Sequence, residues 1–349
     1  MMPRWRLGTV LGVASAFSSF PSVYYASIAA DVHGGAWATP VLFAGHGLAA
    51  IVAMSVVAIP RVSTAVARIT PGRFLAVVLL VDALAGVLLA VSEGPVEYAL
   101  VLVGRIVTGL ALGTLTPIVA AALANHRNGS AISTAGILGG VGVGAATAGT
   151  LALFDLARPE VFGIGCAALV IAAALVAFAP SSPSVVHQPS ASVARVPRLA
   201  LGAAALAFAA NGVLGLFTSV LPGVVAAASS APREFSAGLT VAAVLVAAGA
   251  ARLAIPSGRS RLARLFALVF LVVGAVTFLG GLAGASIALS LTGGVLLGFA
   301  AGIAYDTALS LAASRTIGAA RVRALATVQR GGQFGLVIPV LLFPLAIQR

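Results

Sequence analysis

The sequence predicts an all-α polytopic membrane protein, and three observations carry that reading. Sixty percent of the 349 residues are hydrophobic, only eight percent are charged, and the mean hydropathy is +1.13, far outside the range of soluble domains. Apolar runs of about twenty residues, the length that crosses a bilayer, recur along the chain. The charges also sort by side. All 20 basic residues are Arg, and 15 fall at alternate connections: Arg4, Arg6, Arg61, Arg68, Arg73, Arg127, Arg195, Arg198, Arg252, Arg259, Arg261, Arg264, Arg315, Arg321 and Arg323. The other connections hold Arg158 and Arg233, Arg349 at the C-terminus, and six of the eight acids: Asp31, Glu93, Glu97, Asp155, Glu160 and Glu234. Basic connections stay in the cytoplasm, so the N-terminus is expected there. Asp82, Arg105, Asp306 and Arg330 fall inside spans.

In chain order, the first span is 7–30. Arg4 and Arg6 before it, with Ala26-Ser-Ile-Ala29 near its end, mimic a signal peptide. The apolar run is too long for a signal h-region and ten more spans follow, so it reads as an uncleaved helix. The next five spans are 38–59, 73–92, 97–124, 131–154 and 160–179; the last five are 199–228, 235–255, 264–283, 285–313 and 324–347. Between the two sets, residues 180–198 carry Pro180, Pro183, Pro189 and Pro197 with several Ser. That stretch reads as a cytoplasmic linker joining a six-helix bundle (1–179) to a five-helix bundle (199–349).

The halves repeat. Ala58-Ile-Pro60 recurs as Ala254-Ile-Pro256, Gly109 and Gly113 as Gly298 and Gly302, Gly139-Gly140 as Gly331-Gly332, and Pro21 as Pro222. The offsets are 196, 189, 192 and 201, in the same order along the chain. Duplicated bundles joined by a linker are a transporter architecture, with the substrate site between the halves near the midplane. An offset near 192 puts the counterpart of span six beyond residue 349. Eleven helices are therefore expected where the repeat calls for twelve, with the C-terminus external.

Over nearly its whole length the chain resembles the major facilitator superfamily of secondary transporters. Span four carries Gly104-Arg105-Ile-Val-Thr-Gly109-Leu-Ala-Leu-Gly113 with Pro117, similar to the family's fourth-helix motif. Span five carries Gly140-Val-Gly-Val-Gly144-Ala145-Ala146-Thr147-Ala148-Gly149, similar to the antiporter motif G-x-x-x-G-P-x-x-G-G with Ala145 in place of Pro. The resemblance implies a two-bundle fold, a role for Arg105 in gating proton release or binding an anionic group, and export. One departure stands out: Pro60–Arg68, where the family has an Asp-containing gate latch, keeps bases but no acid.

A charge in the hydrocarbon costs about 2.5–3.5 kcal/mol even on the lenient insertion scale, so it is paired, wet or functional. Asp306 and Arg330 are each seven to nine residues from the nearest basic connection, roughly 10–14 Å deep. Similar depth on adjacent spans makes them an expected pair. Asp82 in span three has no obvious partner in its own half and is a proton-site candidate. Arg105 suits coupling or structure better than substrate contact. His46 reads as a neutral hydrogen-bonder or a titrating group. Ser18, Ser19, Tyr24 and Tyr25 in span one, and Asn211 and Thr218 in span seven, are expected to line the cavity. Tyr305, Gln329 and Gln333 are weaker additions. Gly109, Gly113, Gly140, Gly144 and Gly149 read as helix-packing positions.

Gly140-Val-Gly142-Val-Gly144 lacks the flanking strand of a nucleotide loop. The charge bias puts Asn128-Gly-Ser130, a glycosylation pattern, inside. Four His and one Cys, Cys166, offer no metal site, and no cofactor or nucleic-acid partner is expected. No nucleophile–base pair shares a depth, which argues against an enzyme. The expected function is proton-coupled efflux of an apolar or amphipathic solute by a monomer in a bacterial inner membrane. Uptake of a neutral nutrient such as a sugar, or a transport-inactive membrane scaffold, are the alternatives. A sugar site would be rich in Asn, Gln and Trp, and neither Trp5 nor Trp37 lies mid-span.

Overall fold

The computed structural model describes residues 2–31, 35–59, 61–62, 71–92, 94–123, 126, 129–154, 156–178, 198–227, 231–254, 260–284, 286–314 and 318–347. Most of the Pro60–Arg68 loop, the 180–198 linker apart from Arg198, and Arg349 lie outside these residues. Eleven helices are long and apolar enough to cross a membrane. They are α1 (Arg4–Asp31), α2 (Ala38–Val57), α3 (Pro71–Ala90), α4 (Glu97–Leu123), α5 (Gly129–Leu153) and α6 (Arg158–Ala177), followed by α7 (Arg198–Ser219), α8 (Arg233–Ala254), α9 (Ser260–Ala283), α10 (Ile287–Ser314) and α11 (Gly318–Ile347). The protein is an all-α integral membrane protein.

Several arginines expected in connections instead belong to helices. Arg4 and Arg6 open α1, Arg252 falls within the last turn of α8, and Arg321 and Arg323 lie in the first turns of α11. Helices outrun the hydrocarbon, so a basic boundary residue keeps helical backbone. α1 runs through Pro21 as one helix. Near Pro222, α7 stops at Ser219, Val220 forms a turn, and a seven-residue helix, Leu221–Ala227, follows. Within α5 one wide π-turn, Ala135–Gly139, precedes the run of small residues. Single π-turns inside α-helices recur at functional positions.

Small residues set which helices touch, because removing side chains lets backbones approach. α4 lies on α2: a Cβ at Gly109 would come 3.0 Å from the His46 carbonyl carbon, and one at Gly113 2.6 Å from Ala50 Cα. α10 lies on α8 in the same way, with a Cβ at Gly298 3.0 Å from the Val244 carbonyl carbon and one at Gly302 2.7 Å from that of Ala248. α5 meets α1 through Gly140, whose Cβ would be 2.6 Å from Gly12 O, and through Gly144 against Ala16. α11 meets α7 through Gly331, 2.6 Å from Ala204 O, and Gly335 against Phe208. The contacts therefore align Gly140 with Gly331, an offset of 191, rather than matching the two Gly-Gly pairs residue for residue.

Two seams join the first six helices to the last five. Along α5 and α8, Gly139 meets Gly249, Gly142 meets Val246, and Gly149 meets Gly238. Along α2 and α11, Gly47 meets Val337. Ala26, near the end of α1, lies 3.9 Å from the Cβ position of Gly223. α9 packs on α10 through Gly274, Phe278 and Gly281 and leaves Leu265, Val272, Val276 and Leu279 exposed, a surface suited to lipid.

Candidate functional site

Two groups of buried polar side chains stand out, one in each half. The first forms where α1, α2, α3 and α4 converge. Arg105 is 2% exposed and donates from Nη1 to the Ser18 carbonyl at 2.5 Å. Its guanidinium lies over the Tyr25 ring, 5.6 Å from the centroid, a cation–π contact that shelters the charge without a second ion. Asp82 on α3 is 1% exposed, and its Oδ1 takes no hydrogen bond from the described residues. The positive charge acting on Asp82 is that of Arg105, a neighbour that sequence depth alone did not identify. Asp82 also flanks Cys166, whose thiol donates to Ala83 O at 3.3 Å.

His46 belongs to the edge of this group. Its Nδ1 lies 3.1 Å from Thr108 Oγ1, which itself donates to the Arg105 carbonyl at 3.0 Å. The chain His46–Thr108–Arg105 thus ties α2 to α4 at the level of the buried charge.

The second group forms where α7, α10 and α11 converge. A Cβ at Gly332 would come 2.6 Å from Asn211 Nδ2 and 3.4 Å from the Tyr305 ring, so both side chains close over that glycine. Gln329 and Gln333 stand one helical turn apart on the same face of α11. Gln329 is 2% exposed and neither of its amide atoms meets a described partner; Asn211 Oδ1 and Gln333 Oε1 are likewise open. From the other half, a Cβ at Gly47 would come 3.9 Å from Gln333 Oε1, which puts this group at the α2–α11 seam.

Asp306 follows Tyr305 and is 2% exposed; Ser310 donates to its Oδ2 at 3.4 Å. The expected Asp306–Arg330 pair is not formed. Arg330 donates instead to Ala326 O and Thr327 Oγ1, both on its own helix, at 3.3 Å. The reason is azimuth: Asp306 is one turn from Gly302, whose face meets α8, whereas the α11-facing position is Tyr305.

Other expected lining residues use their polar atoms locally. Ser18 and Ser19 donate to Ser15 O and Ala16 O at 2.7 Å, and Thr218 donates to Leu214 O and Gly215 O. These bonds to the preceding turn satisfy the hydroxyls on their own helices. Tyr24 packs on Phe162, with centroids 5.9 Å apart, and its hydroxyl has no described partner. On the acidic face, Arg158 binds Glu97 at 2.5 Å and Ser92 O at 2.5 Å. That clamp joins the ends of α3, α4 and α6 and gives an arginine on this face its counter-charge. Among the described residues, no cluster of His, Cys, Asp and Glu could hold a metal ion.

No family model and no curated protein matches the chain. Solved structures do match. A bacterial homolog to the human lysosomal transporter Spinster, in an inward-facing and unoccupied conformation, superposes with a TM-score of 0.67 at 12% identity, covering 97% of this chain and 80% of that one. Such a homolog in an inward-facing and occupied conformation gives 0.68 at 11% identity, covering 98% and 80%. At these identities the likeness establishes the fold, and it is the major facilitator fold that the repeat and the span-four and span-five motifs anticipate.

Proposed function

We propose that this protein is a secondary active transporter that moves a small solute by alternating access, with residues 1–179 and 199–349 as the rocking halves. The observation that carries the reading is the repeated packing. α4 on α2 and α5 on α1 recur as α10 on α8 and α11 on α7, and the halves meet along two seams of small residues. Rigid units that share a narrow seam can rock, exposing a central site to each side in turn.

In this reading the protein lies in a bacterial inner membrane with its arginine-rich face in the cytoplasm, works as a monomer, and is not an enzyme. Protons drive export of an apolar or amphipathic solute. Asp82, beside Arg105, and Asp306 are the carboxyls that exchange the proton, since a carboxylic acid escapes the cost of a buried charge by binding one. Proton and solute couple only if each favours a different facing state. Uptake of a neutral nutrient such as a sugar is the second reading, favoured by the open amides of Asn211, Gln329 and Gln333. The exposed Trp5 and Trp37 give it nothing to stack on.

The test uses Ala26 and Gly223. The 3.9 Å between their β positions matches the mean Cβ separation of a disulfide, about 3.8 Å. In a Cys166→Ser background, A26C/G223C is expressed in an efflux-deficient bacterial host and challenged with a broad compound panel. Resistance lost on oxidation and restored by reductant is expected. Resistance that persists with the bridge formed would refute rocking about these seams, and no resistance in the wild type would refute drug export.

A further inference from the structure

We infer that the group of amides between α7, α10 and α11 is a recognition subsite for a neutral, hydrogen-bonding head group, an amide, ureide or hydroxyl cluster, carried on an apolar solute. The inference rests on the transporter reading and narrows its substrate class. Three carboxamides on two helices converge at one seam between the halves, and four of their polar atoms are open: Asn211 Oδ1, Gln329 Oε1, Gln329 Nε2 and Gln333 Oε1. Burying such atoms without partners is unfavourable enough that native structures avoid it. Four together mark a place where something else completes the bonding.

The chemistry of that occupant follows from what is open. A carboxamide offers both donors and acceptors and no net charge. Both atoms of Gln329 are open, so exchanging its amide O and N leaves the result unchanged. A charged head would need a counter-charge facing the patch. Of the charged side chains described on α10 and α11, Asp306 accepts from Ser310 and Arg330 bonds back onto its own helix. A solute that both donates and accepts satisfies Gln329 and the neighbouring carbonyl oxygens together.

Placement supports recognition over packing. Gln333 Oε1 lies by Gly47 of α2, so a molecule held by the α11 amides also touches the other half. Contacts that span the seam form or break as the halves rock, and such differential contact lets a solute bias a facing state.

The test is binding, read apart from transport. Purified full-length protein in detergent is titrated with 4-phenylbutyramide, 4-phenylbutyrate and 4-phenylbutylamine, which share one tail and differ in head charge. The amide is expected to bind about tenfold or more tightly than either ion, one hydrogen bond to a buried partner accounting for a factor of that order. Gln329→Leu should abolish that preference while changing the affinities of the ions less than about twofold. If Gln329→Leu does not elute as a folded species, Gln333→Leu decides on the same criterion. Equal binding of all three heads, preference for an ion, no binding of the amide, or a preference that survives both substitutions would overturn the inference. The last outcome would mean that the amides only hold water. Head-group preference without redox-gated resistance in the A26C/G223C experiment would sink the transporter reading and leave the subsite; the reverse would sink only the subsite.

Discussion

The repeated packing makes a quantitative prediction at four glycines. An alanine Cβ at Gly109 or Gly298 would stand 3.0 Å from a backbone carbonyl carbon of the partner helix, and at Gly113 or Gly302 2.9 or 2.7 Å from one. Carbon atoms settle at about 3.5–4.0 Å, and at all four positions a carbonyl oxygen of the partner helix stands closer still, so each substitution forces the two helices apart. The obstructing atoms are backbone and cannot rotate away. Overpacking of this kind costs about 1–3 kcal/mol, offset by up to about 1 kcal/mol of helix propensity gained over glycine. Gly109→Ala and Gly298→Ala should therefore destabilise alike, and so should Gly113→Ala and Gly302→Ala. Gly12→Ala and Gly202→Ala, whose Cβ would meet nothing within 4 Å, should be neutral or stabilising. The assay is the midpoint temperature at which purified protein loses its monodisperse elution peak. A first-half substitution that destabilises while its second-half counterpart does not would refute the structural equivalence of the halves.

Three further outcomes are expected. Glu97→Gln removes a charge-assisted bond from Arg158 and should cost about 1.5–3 kcal/mol, read as a lower elution-loss midpoint; an unchanged midpoint would show the clamp to be idle. Asp306→Asn and Asp82→Asn, each confirmed in the membrane, should lose the wild-type resistance pattern in the efflux-deficient host. Resistance unchanged in both would remove these carboxyls from the coupling path. Cys166→Ser keeps a donor toward Ala83 O and should shift stability by less than about 1 kcal/mol, which the same elution assay checks.

Much of the architecture was legible because the bilayer imposes it. A crossing needs about twenty apolar residues, and so the span count could be read from the chain alone. Depth was legible too, since residues along a helix rise by a fixed 1.5 Å. Azimuth was not, and the missed contacts trace to that. Asp306 and Arg330 share a depth yet face different helices. Arg105 finds Ser18 and Tyr25, and Glu97 finds Arg158, through tertiary packing that no local pattern encodes. The Gly-Gly pairs hid a one-residue slip, because either glycine of a pair matches until a contact selects Gly140 and Gly331. Ser18, Ser19 and Thr218 advertise polarity in sequence, but a hydroxyl one turn from a helical carbonyl satisfies itself.

The repeat also shows what was not duplicated. The offset of 189 that carries Gly109 to Gly298 carries Arg105 to Gly294 and Pro117 to Asp306. Gly12 and Ala16 of α1 answer to Ala204 and Phe208 of α7, an offset of 192 rather than the 201 that pairs Pro21 with Pro222, and it carries Tyr25 to Phe217 and Ser19 to Asn211. Phe217 lies 3.3 Å from the Cβ position of Gly294, so an apolar contact stands where the first half has Arg105 over Tyr25. On α11, Gln329 and Gln333 correspond to Leu138 and Gly142 of α5 by the offset of 191. The halves thus share the contacts that hold helices together and differ at the positions that bear charge or amides. In the proposed transporter reading, the duplicated glycines serve the rocking frame, which needs two similar units. The unduplicated polar groups differ in kind, with the cation beside Asp82 in one half and the neutral amides together with Asp306 in the other. In the proposed reading, a proton at Asp82 and a solute at the α11 amides can still influence each other, because both act on the one set of seams that the halves share.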